Sequence, residues 1–241
     1  MWKSRYKPSP SREKEEYACI HCQELSTSIY RKYSEGVIRL TECNKCNETV
    51  DKYIEQDAVL VVIDLMLQYV QAYRHLLLNV KIQRPERLFV IFWLSHAAEV
   101  WIRDRTRSED GEAANSVVAD QEWMFYRCLL LSAVEICSFV FVILLFWLWK
   151  RDEETQGWKH TIGSTLLGYY GNVAVVISFI FCLSHRLSYQ IVMQIFLLVS
   201  HIQVQRVLFP TVSAVDNIIV VLAAKTFSTF MGGLLTQTMF M

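Results

Sequence analysis

Cys19-Ile20-His21-Cys22 and, after a spacer of twenty residues, Cys43-Asn44-Lys45-Cys46 decide the fold of the N-terminal part of this chain. Two C-x-x-C pairs at such a separation are the spacing of a zinc ribbon. Each pair sets two sulfurs on one tight turn, and two facing turns make a closed tetrahedral four-sulfur site with no open position for catalysis. Two disulfides or four unrelated thiols are the alternative, but four of the seven cysteines share one repeated spacing. A redox C-x-x-C is usually single and follows a strand in a βαβ unit, and no such unit surrounds these pairs. Four thiolates around Zn²⁺ carry a charge near −2, which Lys45, Arg31, Lys32 and Arg39 are placed to offset. His21 reads as a surface residue, because four sulfurs already fill the site.

Outward from the cysteines, residues 17–56 read as the ribbon. Tyr33-Ser34-Glu35-Gly36 is a turn between two short strands, with Gly36 free to adopt positive φ. Ile38 and Leu40 share one face of the second strand. Tyr17, Tyr30, Tyr33 and Tyr53 are expected to pack as a small core. So few residues cannot bury a sufficient core alone, so metal binding has to supply folding energy. Residues 1–16, polar with Pro8 and Pro10, read as a disordered tail without the apolar region of a cleaved signal peptide.

Residues 57–80 predict one amphipathic helix. Within 58–79 the polar positions Asp64, Gln68, Gln71, His75 and Asn79 fall in a sector of roughly 80°. Such a stripe suits a helix in the headgroup region of a bilayer. It also suits a helix dipping into the membrane with the stripe turned to protein, at greater polar cost.

The chain has 241 residues and is 53% hydrophobic, above the about 45–50% usual for soluble domains, and the excess lies after residue 57. The expected architecture is therefore an all-α polytopic membrane bundle over residues 81–241, carrying a small four-cysteine zinc-ribbon head with a β-hairpin. Candidate spans are 88–102, 128–149, 162–183, 187–209 and 212–236. Lys81 to Arg87 is a basic break, and the segment 88–102 barely reaches across a bilayer. His96 and Glu99 share a face there, with an ordinary interhelical bond the simpler reading and a metal or proton-relay role the sharper one. Arg103 to Gln121 reads as a polar loop. Glu135 is the one ionisable residue of 128–149, and an intramembrane carboxylate is a functional candidate. Ser164-x-x-x-Gly168 and Ala174-x-x-x-Ser178 are small-residue patterns for close helix approach. Gln194, His201 and Gln205 must face other helices.

Zero net charge argues against a nucleic-acid partner. A thiol-rich metal site points to a reducing compartment, which puts the head on the cytosolic side. No G-x-S-x-G elbow, P-loop, dinucleotide fingerprint or H-E-x-x-H occurs, and no acidic cluster suits Mg²⁺, so a non-enzymatic role is expected.

Several runs together carry a family resemblance. Tyr17-x-Cys19-Ile20-x-Cys22 is followed by Ile29-Tyr30-x-x-Tyr33-x-x-Gly36-x-Ile38-x-Leu40-Thr41 and Cys43-x-x-Cys46. Val50-Asp51-Lys52-Tyr53-Ile54-Glu55 and Gln71-Ala72-Tyr73-Arg74-His75 complete it. This resembles the Arv homology domain, the N-terminal signature of the ARV family of lipid-homeostasis membrane proteins, over about residues 17 to 79. Weaker similarity continues through Glu122-Trp123-x-Phe125-Tyr126-Arg127. The resemblance implies an endoplasmic-reticulum, multi-pass protein of sterol distribution that supports early glycosylphosphatidylinositol (GPI) anchor synthesis. Its implied partners are sterol, GPI intermediates and subunits of the GPI N-acetylglucosaminyltransferase. A structural accessory subunit of such a glycosyltransferase, with no lipid transport of its own, is the alternative, and an acyltransferase-like enzyme the weakest. Tyr73, Arg74, His75, Asp64 and Glu135 are the candidate lipid or partner contacts. Arg74 in particular offers a planar fork for a phosphate, against the simpler reading of a snorkelling charge.

Overall fold

The computed structural model describes residues 17–34, 37–80, 85–109, 118–150, 157–173 and 187–239. It forms two compact units, Met1–Lys81 and Ile82–Met241. The tail 1–16 and the expected turn residues Glu35 and Gly36 lie outside the described residues, as does the small-residue pair Ala174 and Ser178.

In the first unit, β1 (Tyr17–Ala18) and β2 (Leu25–Ser26) pair antiparallel and frame the first C-x-x-C turn. β3 (Tyr30–Ser34) and β4 (Val37–Leu40) form the expected hairpin. Ile38 and Leu40 are the less exposed face, as strand alternation requires. The register slips by one residue between Lys32 and Ser34. Tyr33 stands at that slip with its side chain 66% exposed, which corrects its place in the expected core; a residue inserted at a bulge is no longer held to the strand's alternation. Tyr17 and Tyr30 do pack on the cluster of Cys19, Ile29, Cys43 and Val50, and Tyr53 is buried.

The helix expected over 58–79 is broken. α1 (Ala58–Met66) ends at a link in which Gln68 takes φ 62°. α2 (Val70–Arg74) follows, and its last turn widens into a π turn, His75–Asn79. The reason lies in where the polar side chains go. Asp64 accepts from the Tyr53 hydroxyl at 2.7 Å, while Asn79 reaches Ala18 at 2.9 Å. A straight helix of this length would run about 33 Å and could not satisfy both. The buried Tyr73 hydroxyl donates to Gln68 Oε1 at 2.7 Å across the break.

The second unit is a helical bundle: α3 (Pro85–Glu109), α4 (Val118–Trp149), α5 (Trp158–Leu167) with a 3-10 turn Gly168–Gly171, α6 (Leu187–Leu208) and α7 (Ala214–Met239). Proline opens α3, where its missing N–H costs nothing. The polar loop expected over Arg103 to Gln121 is corrected at both ends, since α3 continues to Glu109 and α4 starts at Val118. Arginine-rich sequence is polar but propagates a helix well, and no Gly or Pro interrupts it before Gly111.

Among the described residues, three helices are long and apolar enough to cross a membrane: Trp123–Trp149, Ser188–Leu208 and Ala214–Thr238. Phe89–Ile102 is a shorter apolar stretch within α3. The candidate span 162–183 is described only to Val173. Phe92, Ile136, Phe139, Ile143, Tyr169, Val221 and Ala224 form the core. Phe141, Leu145, Ile191, Val192, Ile219 and Phe230 face outward, as lipid-facing positions do. Gly168 serves the close approach expected of it: Ser200 Oγ donates to its carbonyl at 3.0 Å, and a Cβ there would lie 2.4 Å from His201 Nδ1.

Candidate metal centre and the clasp that holds it

The two C-x-x-C turns have the same backbone geometry. In the first, Gln23 N–H donates to Cys19 O at 2.8 Å and Cys19 N–H to Glu24 O at 2.9 Å. In the second, Asn47 N–H donates to Cys43 O at 3.0 Å and Cys43 N–H to Glu48 O at 2.8 Å. Each turn is completed by a left-handed residue, Gln23 at φ 63° and Asn47 at φ 58°. The turns are joined by Ile20 N–H donating to Val50 O, and Val50 N–H to Thr41 O, both at 2.9 Å. This scaffold brings the sulfurs of Cys19, Cys22, Cys43 and Cys46 within 4.8 Å of one another. Cys19 and Cys46 stand 3.7 Å apart, and Cys22 and Cys43 3.6 Å.

Those separations are far too long for disulfides. They fit the edge of a tetrahedron around a metal ion with bonds of about 2.3 Å, which is about 3.8 Å. The four cysteines can therefore hold a metal ion. Their thiols differ in readiness. Backbone N–H groups of Cys46 and Lys45 hold Cys43 down to about 7, so this sulfur is a thiolate most easily. Burial pushes Cys19 up to about 12, and burial also raises Cys22. Lys45 lies close enough to act on Cys22 and Cys43, and its ammonium also pairs with Glu24 at 3.0 Å. The two hairpin arginines Arg31 and Arg39 stand opposite each other on exposed faces. A second cation set against the first turn is Arg74, whose Nη1 donates to Ile20 O at 2.9 Å and also to His21 O. His21 is exposed, as expected.

Arg74 belongs to a clasp centred on Asp51, whose carboxylate is fully buried. Asp51 Oδ1 accepts Tyr53 N–H at 3.0 Å and caps the 3-10 turn Lys52–Ile54. Its Oδ2 lies 2.7 Å from His75 Nδ1 and accepts from Asn79 Nδ2 at 2.8 Å. The π turn sets His75 and Asn79 four residues apart on this one acceptor. Asn79 also grips β1 with both ends of its amide: Oδ1 accepts Ala18 N–H and Nδ2 donates to Ala18 O, each at 2.9 Å. The Tyr53 ring packs on His75 with centroids 5.2 Å apart. Its hydroxyl, given to Asp64, is held protonated by burial and by that bond.

The candidate contacts Asp64, Arg74 and His75 are thus turned onto the ribbon, Tyr73 is buried with its hydroxyl on Gln68, and Asp64, Gln68, His75 and Asn79 of the polar stripe bond within this unit. Asp51 and Asn79, the centre of the clasp, were not singled out from sequence. Asp51 stood within the Val50 to Glu55 run, and Asn79 closed the stripe. In the second unit, Glu135 is buried against His96. Gln194 donates to Glu99, and His201 and Gln205 are buried, as their shared side required.

The Arv1-like family model matches residues 18–205. The chain is 31% identical to Protein ARV1 of Bos taurus over 196 residues, which is 80% of this chain and 69% of that protein. It is 31% identical to Protein ARV1 of Mus musculus over 199 residues, 81% of this chain and 74% of that one. With Protein ARV1 of Saccharomyces cerevisiae it shares 52% identity over 61 residues, 25% of this chain and 19% of that one. No solved structure matches the chain.

Proposed function

The chain belongs to the Arv1-like family, and from that membership and the geometry of its head we propose a non-enzymatic protein of lipid homeostasis in the endoplasmic-reticulum membrane. It mediates sterol distribution and supports early GPI-anchor synthesis. Its head faces the cytosol and holds one structural Zn²⁺ on Cys19, Cys22, Cys43 and Cys46. Zinc is the metal that four thiolates at these separations suit, being indifferent to redox state and at ease in tetrahedral geometry. A full set of sulfurs leaves no position for substrate, so the metal's task is folding.

One observation carries the membrane reading of the head. Asp64, Gln68, His75 and Asn79 all bond within the first unit, yet Val59, Leu60, Val62, Ile63, Met66 and Leu67 remain exposed. A patch of this kind on a charged, metal-held unit marks an interaction site, and a bilayer surface accepts it without specific partners. The same side chains suit sterol and acyl chains alike.

The test uses cells whose own family member has been removed. The full chain should restore sterol distribution and surface GPI-anchored protein. Normal amounts of correctly located protein that restore neither would overturn the proposal. Stable copurification with a GPI N-acetylglucosaminyltransferase, together with no lipid movement by the purified chain in liposomes, would move the reading to the accessory subunit.

A further inference from the structure

Inside the second unit, four helical segments contribute polar side chains to a cluster centred on one imidazole. His96 and Glu99 come from α3, Glu135 from α4, Asn172 from the turn after α5 and Gln194 from α6. His96, Glu99, Glu135 and Asn172 are all buried. The two ring nitrogens lie beside two different acids: Nε2 is hydrogen-bonded to Glu135 Oε2 at 3.1 Å, while Nδ1 lies 3.0 Å from Glu99 Oε2, an ion-pair distance at which that oxygen makes no hydrogen bond. Asn172 Nδ2 is 3.1 Å from the same Nδ1. Gln194 Nε2 donates to Glu99 Oε1 at 2.7 Å. On the α7 side, Ser228 Oγ donates to Glu135 O at 2.7 Å. A Cβ on Gly232 would come within 2.9 Å of Glu135 Oε1, so only glycine lets the acid lie this close to α7.

This is not the geometry of a metal site. A cation bonded to one ring nitrogen would leave the other acid across the ring, out of reach. Nor does helix adhesion alone call for ionisable groups, since neutral amides and hydroxyls join helices without burying charge. We propose that Glu99, His96 and Glu135 form a proton-carrying chain within the membrane unit, with the proton as its ligand.

With the Glu99 carboxyl turned so that Oε2 aligns on Nδ1, both contacts are attractive when two protons are shared among the three groups. In one arrangement Glu99 is a carboxylic acid donating to Nδ1, and Nε2–H donates to the Glu135 carboxylate. Glu99 gives its proton to Nδ1, while Nε2 gives its own to Glu135. The products are a Glu99 carboxylate, a neutral imidazole of the other tautomer and a Glu135 carboxylic acid. One O–H and one N–H bond break, one of each forms, and no net charge appears. Asn172 Nδ2 holds the bare Nδ1 at 3.1 Å while the Glu99 oxygen is unaligned, and yields it when Glu99 donates, because the ring nitrogen has a single lone pair.

Among the described residues, further titratable groups stand near the chain. The Tyr169 ring lies 5.2 Å from His96 and 4.6 Å from His201. Lys225 on α7 acts on His201, and Cys137 on α4 acts on Tyr169.

The proposal concerns the proton and goes beyond the lipid reading, so its test contains no lipid assay. The purified full chain in nanodiscs is followed by infrared difference spectroscopy as pH is stepped between about 5 and about 8. The wild type should show a buried carboxylic C=O band that responds to pH and shifts in heavy water. Glu99→Gln and Glu135→Gln should each remove or shift that band, and His96→Asn should shift its midpoint. Glu135→Asp keeps an acid and should move the band without abolishing it, which keeps the test open if a Gln variant fails to fold. A wild-type spectrum with no such band, or one that neither Gln nor Asp changes, would reduce the network to adhesion between helices.

Discussion

A single buried carboxylate illustrates how residues hold this head together. Three donors converge on Asp51, from the Tyr53 backbone, His75 and Asn79. Asp51→Ala would strand all three in a site closed to water, a cost on the order of 3 kcal/mol. A head of this size has little stability in reserve. The variant should therefore release its metal several-fold faster to a chromogenic chelator, and an unchanged release rate would show the clasp to be dispensable. At the metal itself, Cys43→Ser should remove both metal and fold, because ligation and folding are one equilibrium here. Elemental analysis should find about one zinc per wild-type chain with tetrahedral sulfur ligation, and full zinc loss with an intact head would separate the two. The thiols also set a pH dependence. A thiol must lose its proton to ligate, and Cys19, pushed up to about 12 by burial, is still protonated at neutral pH in the metal-free head. Cys43, held down to about 7, loses its proton within the neutral range. Metal uptake therefore expels protons, and apparent affinity should fall as pH drops from about 8 to about 6. A competition titration giving the same affinity at both ends would contradict this.

At the scale of elements, the sequence and the structure part company in an instructive place. The C-x-x-C spacing made the ribbon legible, because tetrahedral ligation leaves four sulfurs few arrangements. The hairpin followed from strand-prone residues on alternating faces. The polar stripe over 58–79 has a clean helical period and so reads as one continuous helix, whereas the structure breaks it. That period is equally what three short segments produce when each turns its polar side chains onto one small domain. Nothing in the sequence announces that Gln68 is left-handed, since only the buried Tyr73 hydroxyl and the distant Ala18 strand make that turn worthwhile. What remains amphipathic is α1, with its apolar face outward. A photo-crosslinking side chain placed at Ile63 in the full chain should capture lipid in native membranes, while one at the buried Leu65 should not. Capture of a protein at Ile63, with no lipid, would make that face an interface instead.

Over the whole molecule, the His96 and Glu99 pair is legible in sequence as one helix face, but its meeting with Glu135 is not, because periodicity locates a residue on its own helix and not opposite another. Orientation, by contrast, is argued from chemistry that the sequence carries openly. Four closely set sulfurs, of which Cys43 ionises near neutral pH, survive as thiols only where the compartment is reducing. In an oxidising lumen the same pairs, 3.6 and 3.7 Å apart before any movement, would close into disulfides and the metal site would be lost. The Lys and Arg residues before residue 88 point the same way, since basic segments near a first span stay in the cytosol. Protease added to sealed microsomes should therefore remove a tag fused before Met1 while leaving lumenal markers intact. A sequon engineered near residue 12 should remain unglycosylated. A protected tag, or a glycan at that sequon, would place the head in the lumen, and zinc on four thiolates would then have to give way to a pair of disulfides.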